Sequence, residues 1–161
     1  LGLQTAHDST ARLINRGHDF AEFVRGFETA RNAGLRICVH IINGLPGETP
    51  EMMEQTAEIL GGMRPDGVKI HLLHVIKNTT LAGLWESGKY QPMERDDYIG
   101  TVVRQLELLP PETVIERLTG DGGRDSLLAP LWSLDKRAVL GGIMKRQKQL
   151  DSIQGLRFQE G

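Results

Sequence analysis

The stretch LRICVHIINGLPGET, residues 35–49, constrains the fold more than any other part of the chain. Its first half predicts a strand with two different faces, because successive side chains of a strand point to opposite sides. One side is purely apolar and the other is mixed: Ile37, Val39 and Ile41 against Arg36, Cys38, His40 and Ile42. The apolar side suits packing against helices. The mixed side is typical of the lumen of a parallel α/β barrel.

A tight turn and a helix start follow this strand directly. Gly44, Pro46 and Gly47 are turn residues, and Thr49 followed by Pro50 is a good N-cap with a proline at the first helical position. Backbone N–H groups between a strand end and a helix N-terminus form a site for a polar or anionic ligand. The turn therefore indicates a ligand site, although the same residues also serve as a plain strand-to-helix connection.

The rest of the chain repeats this strand-then-helix order. We predict strands at 1–6, 35–42, 68–76 and 113–118 and helices at 10–15, 19–33, 49–60, 94–109 and 134–150, with a short helix in the connection 79–90. Alternation of this kind is typical of a parallel sheet covered by helices. Four such units are half of an eight-unit barrel or the larger share of a six-unit partial barrel. We expect residues 1–150 to form this half-barrel with a C-terminal extension, and residues 151–161 to form a polar tail.

Composition excludes several classes of protein. Cys38 is the only cysteine, so neither a disulfide framework nor a cysteine-rich metal site can form within the chain. A net charge of −2 gives no basic footprint for bulk nucleic-acid binding. The sequence contains no run of about 18 apolar residues, so no membrane span is predicted. We expect a protein of the reducing cytoplasm.

The chain begins with Leu1-Gly2-Leu3-Gln4 and has no initiator methionine, as if it started inside a strand. We therefore expect a fragment of a longer protein, whose missing N-terminal half would be the natural partner of this chain. An unpaired edge on the first strand would also favour self-association.

Three polar residues fall on predicted lumen-facing positions of the later strands: Lys69, His71 and Arg117. A charge inside a barrel needs a partner or a ligand, so structural roles and contact with a substrate are about equally supported. His71 and His74 are three apart on one predicted strand and would face opposite sides, so they do not predict a metal pair.

Several motifs together resemble the radical S-adenosylmethionine (SAM) superfamily. GLQT at 2–5, INRGH at 14–18 and VHIINGLPGET at 39–49 occur in the order and approximate spacing of that family. The resemblance is to the branch of Elongator Elp3-like and coproporphyrinogen-dehydrogenase-like proteins, and within it to the YhcC-type radical SAM proteins. The later segments DGVKIHLLHVIKNTTLA and ERLTGD, at 66–82 and 116–121, are similar to that group as well.

This resemblance implies the C-terminal half of a partial (β/α)6 TIM-like barrel. Such enzymes use a [4Fe-4S] cluster to cleave SAM and generate a 5′-deoxyadenosyl radical. Carried over by motif, Gln4 would contact the ribose, Arg16 the polar part of SAM and Ile42 the adenine. His40 stands where some relatives carry an aspartate that binds the ribose, and an imidazole can donate or accept a hydrogen bond there.

The chain departs from the family in its cysteines. The family ligates its cluster with three cysteines near the first strand, and Cys38 lies in a different strand. We therefore expect the parent protein to be the enzyme and this chain alone to be inactive, with a small-molecule or RNA substrate that the sequence does not identify.

Two alternatives to a radical SAM enzyme remain open at this stage. One is a non-catalytic SAM- or nucleotide-binding or interaction module. The other is a different parallel α/β barrel enzyme that uses Lys69, His71 and Arg117 on an anionic substrate.

Overall fold

The computed structural model describes residues 1–120, 122–123 and 125–159. Its strands are β1 (Gly2–Gln4), β2 (Cys38–Asn43), β3 (Gly67–Leu72), β4 (Val75–Ile76), β5 (Val114–Arg117) and β6 (Leu127–Ala129). A four-stranded sheet has the order β1-β2-β3-β5, and each neighbouring pair in it is parallel. The predicted parallel sheet is thus confirmed.

Helices cover this sheet in the predicted alternation. They are α1 (Asp8–Leu13), α2 (Phe20–Asn32), α3 (Pro50–Met63), α4 (Thr80–Glu86), α5 (Arg95–Leu108) and α6 (Lys136–Leu150), with a 3₁₀ turn at Leu131–Leu134. Two predicted helix starts are capped as expected, because Asp19 accepts a hydrogen bond from the Glu22 N–H and Thr49 accepts one from the Met52 N–H.

The core lies between the sheet and its helices. Val39, Ile41, Val68 and Ile70 point from β2 and β3 into an apolar cluster with side chains of α2, α3 and α5. We call this side of the sheet the packed face. The opposite side carries Cys38, His40, Ile42, Lys69 and His71, all of them half-buried, and we call it the inner face.

The prediction of a single strand at 68–76 is wrong. β3 ends at Leu72, where the Leu73 N–H still donates to the Asn43 carbonyl, and the chain then leaves the parallel sheet. β4 pairs antiparallel with β6, a strand that the sequence analysis did not predict. Val75, Ala82, Tyr90 and Ala129 form a small separate core beneath this pair, and burial there competes with continuation of β3.

The segment after α6 is described as far as Gln159, and it lies against the end of α5. The Gly155 N–H donates to the Leu106 carbonyl at 3.0 Å, and the Arg157 N–H donates to the Glu107 carbonyl at 2.9 Å. These bonds satisfy carbonyl groups in the last turn of α5, which have no partner within the helix. Residues 160 and 161 of the expected polar tail lie outside the described residues.

Within the described ranges, no helix has the length and apolar character that crossing a membrane requires.

Candidate functional site

The end of β1 brings two polar side chains together over a glycine. The Arg16 guanidinium donates from Nη2 to the Gly2 carbonyl at 2.7 Å. A Cβ on Gly2 would lie 2.6 Å from Gln4 Nε2 and 3.0 Å from Arg16 Nη2, so a side chain at position 2 would displace the ends of both side chains from where they lie. Gln4 itself has a φ of 65°, a conformation that costs free energy in a non-glycine residue and concentrates at functional sites.

Both side chains keep a buried polar atom without a hydrogen-bond partner. These atoms are Gln4 Oε1 and Arg16 Nε. Buried polar groups in folded proteins are nearly always paired, so two unpaired atoms at one strand end indicate a place where a ligand binds.

His40 and Ile42 lie on the inner face of β2, next to this strand end. His40 is in register with Gly2 of β1 and with Lys69 of β3, and Ile42 is in register with His71. The rings of His40 and His71 stack with their centroids 5.5 Å apart. Burial lowers the pKa of His40, and the Lys69 charge lowers it further, so this imidazole is neutral near pH 7.

The three polar residues predicted on later strands also come close together. Lys69 Nζ lies 3.0 Å from Glu116 Oε2, and the hydrogen bond from Lys69 lowers the pKa of this carboxylate. Arg117 is in register with Lys69. Burial lowers the pKa of His71, and the charges of His40, Arg117 and Lys69 add to that effect. Lys69 therefore has a protein partner, which the sequence analysis did not foresee.

A buried amide pair holds the turn after β2. Asn43 Nδ2 donates to Gln105 Oε1 and Gln105 Nε2 donates to Asn43 Oδ1, each at 2.8 Å, and Gln105 Nε2 also donates to the Met53 carbonyl at 3.0 Å. Tyr90 Oη donates to the Gly44 carbonyl at 2.8 Å. The turn is thus tied to α3, to α5 and to the segment that follows α4.

The two motif segments at 2–5 and 39–49 are linked to each other. The Thr5 hydroxyl donates to Glu48 Oε1. Burial raises the pKa of Glu48, although the hydrogen bonds from Thr5 and Thr10 act in the opposite direction. This link fixes the spacing between the end of β1 and the turn after β2.

The sequence analysis missed Gln105, Tyr90 and Glu116. Gln105 had a usable signal, since a polar residue within the apolar stripe of α5 implies a buried partner. Tyr90 had none, because its hydrogen bond depends on how the segment after α4 folds back.

A parallel sheet with helices packed on one face and half-buried polar side chains on the other is typical of barrel-type α/β proteins. Two family models match this chain, the Radical SAM superfamily over residues 1–60 and the Radical_SAM C-terminal domain over residues 65–149. The chain belongs to the radical SAM superfamily, as the motifs predicted.

Curated relatives agree with this assignment. The uncharacterized protein YtqA of Bacillus subtilis is 46% identical over 159 residues, which cover 99% of this chain and 49% of YtqA. Protein YhcC of Escherichia coli is 45% identical over 132 residues, covering 82% of this chain and 43% of YhcC. Human Elongator complex protein 3 is 34% identical over 124 residues, covering 75% of this chain and 23% of that protein. The chain thus spans less than half the length of these relatives.

A solved structure shows the same fold. The Elp3 protein of the archaeon Methanocaldococcus infernus, with an N-terminal deletion, superposes with a TM-score of 0.86 at 21% sequence identity, over 96% of this chain and 36% of that one. The expected radical SAM-type partial barrel is therefore confirmed for the part of the barrel that this chain forms.

The residues present fit one of the two groups that the family implies. The unpaired atoms of Gln4 and Arg16, with the apolar side chain of Ile42 nearby on the inner face, suit SAM, which has polar ends and a flat base. The cluster does not fit. Cys38 is the single cysteine, and no group of three or more His, Cys, Asp or Glu side chains in the described part of the chain could hold a metal.

Proposed function

We propose that this chain forms the SAM-binding C-terminal half of a radical SAM enzyme, whose [4Fe-4S] cluster is ligated outside the chain. The observation that carries this proposal is the pair of unpaired buried atoms, Gln4 Oε1 and Arg16 Nε, held together over Gly2. In such enzymes, bound SAM supplies a 5′-deoxyadenosyl radical that removes a hydrogen atom from the substrate.

Each residue of this site has chemistry that suits one part of SAM. Gln4 Oε1 accepts a hydrogen bond from a ribose hydroxyl, and Arg16 Nε donates to the methionyl carboxylate. Ile42 gives the adenine an apolar surface. His40, kept neutral by burial, offers one ring nitrogen as donor or acceptor to the ribose. The inner face thus binds and orients SAM.

The N-terminal half of the same protein is the proposed partner. β1 lies at one edge of the sheet, where its outer backbone groups are available for another strand. The relatives YtqA and YhcC, about twice as long as this chain, support such a partner. Without it, the same edge would favour self-association. The substrate, a small molecule or an RNA, is left open by this proposal.

SAM binding to the chain is the direct test, measured by isothermal titration calorimetry. We expect Gln4→Ala and Arg16→Ala each to weaken SAM binding about tenfold or more, because each removes a hydrogen bond and the arginine bond is charge-assisted. Arg12→Ala is the matched control, since Arg12 is an exposed arginine in the last turn of α1. Equal affinity in both test variants and the control would reject the assignment of Gln4 and Arg16.

Catalysis is tested separately in a protein that carries both halves. After cluster reconstitution and reduction, release of 5′-deoxyadenosine from SAM is expected, and it should fall in the Gln4 and Arg16 variants. If the complete protein binds no cluster but still binds SAM or another nucleotide, the chain belongs to a non-catalytic binding module instead.

A further inference from the structure

The turn after β2 is held by a tyrosine from outside the parallel sheet. Tyr90 lies in the segment after α4, and it is one of the buried residues of the small separate core beneath β4 and β6. Its hydroxyl extends from that core and donates to the Gly44 carbonyl at 2.8 Å, in a contact that is itself buried. One side chain therefore joins the small separate core to the turn.

Gly44 is closely surrounded at the start of this turn. Its φ is 83°, a conformation that glycine adopts without steric cost. A Cβ at this position would lie 3.2 Å from Met93 Cγ, 3.4 Å from Met93 Sδ and 3.8 Å from Tyr90 Oη. The Gly44 N–H donates to Met53 Sδ at 3.2 Å. Residues from two other parts of the chain therefore fix the backbone where the turn begins.

The Tyr90 hydroxyl sets the orientation of a whole peptide group. Gly44 and Leu45 are joined by a trans peptide bond, in which the planar group points its C=O and its N–H in opposite directions. Holding the Gly44 carbonyl toward Tyr90 therefore directs the Leu45 N–H away from Tyr90. The Leu45 carbonyl in turn accepts a hydrogen bond from the Glu48 N–H at 3.1 Å. The orientation that Tyr90 fixes at Gly44 thus extends to Glu48.

This turn lies at the same end of the sheet as the proposed SAM site. Ile42, the residue assigned to the adenine, is two positions before Gly44. Thr5 directly follows Gln4, and its hydroxyl donates to Glu48 at the other end of the turn. A displacement of the turn would therefore move the backbone beside Ile42 and loosen the link to the end of β1.

We propose that Tyr90 is a positioning residue of the SAM site, whose hydroxyl holds the turn after β2 in the conformation that binds SAM. This inference rests on the proposed function and extends it, because it makes the small separate core a support of the site. Tyr90 acts through the Gly44 carbonyl and not by contact with SAM. Because that carbonyl is buried, loss of the hydroxyl leaves an acceptor without its partner, and the turn rearranges to satisfy it.

Tyr90→Phe is the direct test, since it removes the hydroxyl and keeps the ring in the small separate core. We expect SAM to bind this variant about fivefold more weakly than the unsubstituted chain in isothermal titration calorimetry. Hydrogen exchange of the Glu48 amide, measured by NMR, should become faster. A purely structural role of Tyr90 would lower the thermal stability but leave the SAM affinity of the folded variant unchanged, and that result would overturn the inference. So would unchanged exchange at Glu48.

Tyr98→Phe is the matched control. Tyr98 is also buried, and its hydroxyl also donates to a backbone carbonyl, that of Leu118, at 3.1 Å. Leu118 follows β5, which is two strands away from β2 in the sheet. Tyr98→Phe should therefore lower the thermal stability but change the SAM affinity by less than about twofold. Equal weakening of SAM binding in both tyrosine variants would overturn the inference, because affinity would then follow global stability.

A pair of glycine variants disturbs the same turn and leaves the tyrosine in place. Gly44→Ala adds a Cβ at a φ of 83° and 3.2 Å from Met93 Cγ. Gly34→Ala is its control, since Gly34 precedes β2, has a φ of 74° and has no described atom within 4 Å of an added Cβ. We expect only Gly44→Ala to weaken SAM binding. If Tyr90→Phe loses its cooperative thermal transition, unchanged SAM affinity in folded Gly44→Ala overturns the inference.

The outcome is distinguishable from that of the proposed function. If the unsubstituted chain binds SAM and Tyr90→Phe binds it equally well, this inference alone is overturned. If the unsubstituted chain binds no SAM, the proposed function is overturned and this inference with it.

Discussion

The two faces of the same two strands differ sharply in what they need from the rest of the molecule. On the packed face, Val39, Val68 and Ile70 are fully buried and Ile41 is 1% exposed. On the inner face, one residue further along each strand, the side chains are half-buried, and His71 keeps an unpaired nitrogen. Other parts of the chain bury the apolar side chains of the packed face. Among the described residues, the inner face stays half-buried and keeps a nitrogen without a hydrogen-bond partner. Residues that stabilise the fold and residues of the proposed binding site therefore alternate along β2 and β3.

The largest expected effect comes from a pair of neighbouring isoleucines that point to opposite faces. Ile41→Ala should lower the free energy of unfolding by about 2–5 kcal/mol, because it leaves a cavity in the packed core. Ile42→Ala should cost less than about 1.5 kcal/mol in stability but weaken SAM binding. Urea unfolding and SAM titration measure the two effects.

Similar losses of stability in both isoleucine variants would remove the distinction between the faces. A loss of SAM binding in the folded Ile41→Ala protein, with normal binding in Ile42→Ala, would invert it.

A buried polar contact behind the packed face should give an intermediate effect. Gln105→Leu leaves the Asn43 amide buried without its partner, and we expect a loss of about 1–3 kcal/mol in the free energy of unfolding. Gln55→Leu is the control, since Gln55 is an exposed residue of α3.

The double variant Asn43→Leu with Gln105→Leu sharpens this prediction. Removing both amides should restore part of the stability, because no unpaired polar group then remains in the core. Strictly additive losses would show that the amide pair contributes through packing alone.

The smallest expected effect is a pH dependence that originates on the inner face. The fold lowers the pKa of His40, His71 and His74, so below the unfolded value of about 6.5 the unfolded chain binds more protons than the folded chain. Stability is then fully present above that pH and falls as the pH decreases from 7.5 to 5.5. Urea unfolding across this range measures the slope.

The groups that act on these histidines are Lys69, Arg117, the amino group of Leu1 and, in the opposite sense, Glu116. Glu48 contributes a slope of the other sign, because its raised pKa favours the folded state as the pH falls. The Glu48 contribution is the same in the parent chain and in His71→Gln, so the difference between their pH slopes does not contain it. The variant should have a shallower slope than the parent chain, and His18→Gln should not. An equal slope in all three proteins would remove the histidines as its source.

Local patterns in the sequence determined much of this protein. The alternation at 38–43, the caps at Asp19 and Thr49, and the strand-then-helix order predicted the parallel sheet correctly. The ordered motifs also predicted the superfamily. These features are readable because each depends on residues a few positions apart, where backbone geometry links sequence directly to structure.

The tertiary structure alone decided which distant residues meet. Asn43 and Gln105 are 62 positions apart, and β4 pairs with a strand that begins some fifty residues later. The end of β3 at Leu72 followed from that pairing, and so did the position of His74 against the glycines after β5. The roles of Gln4, Arg16, His40 and Ile42 remain predictions that the titrations test. No local pattern encodes such contacts, since burial and hydrogen bonding between distant segments are settled only when the whole chain packs.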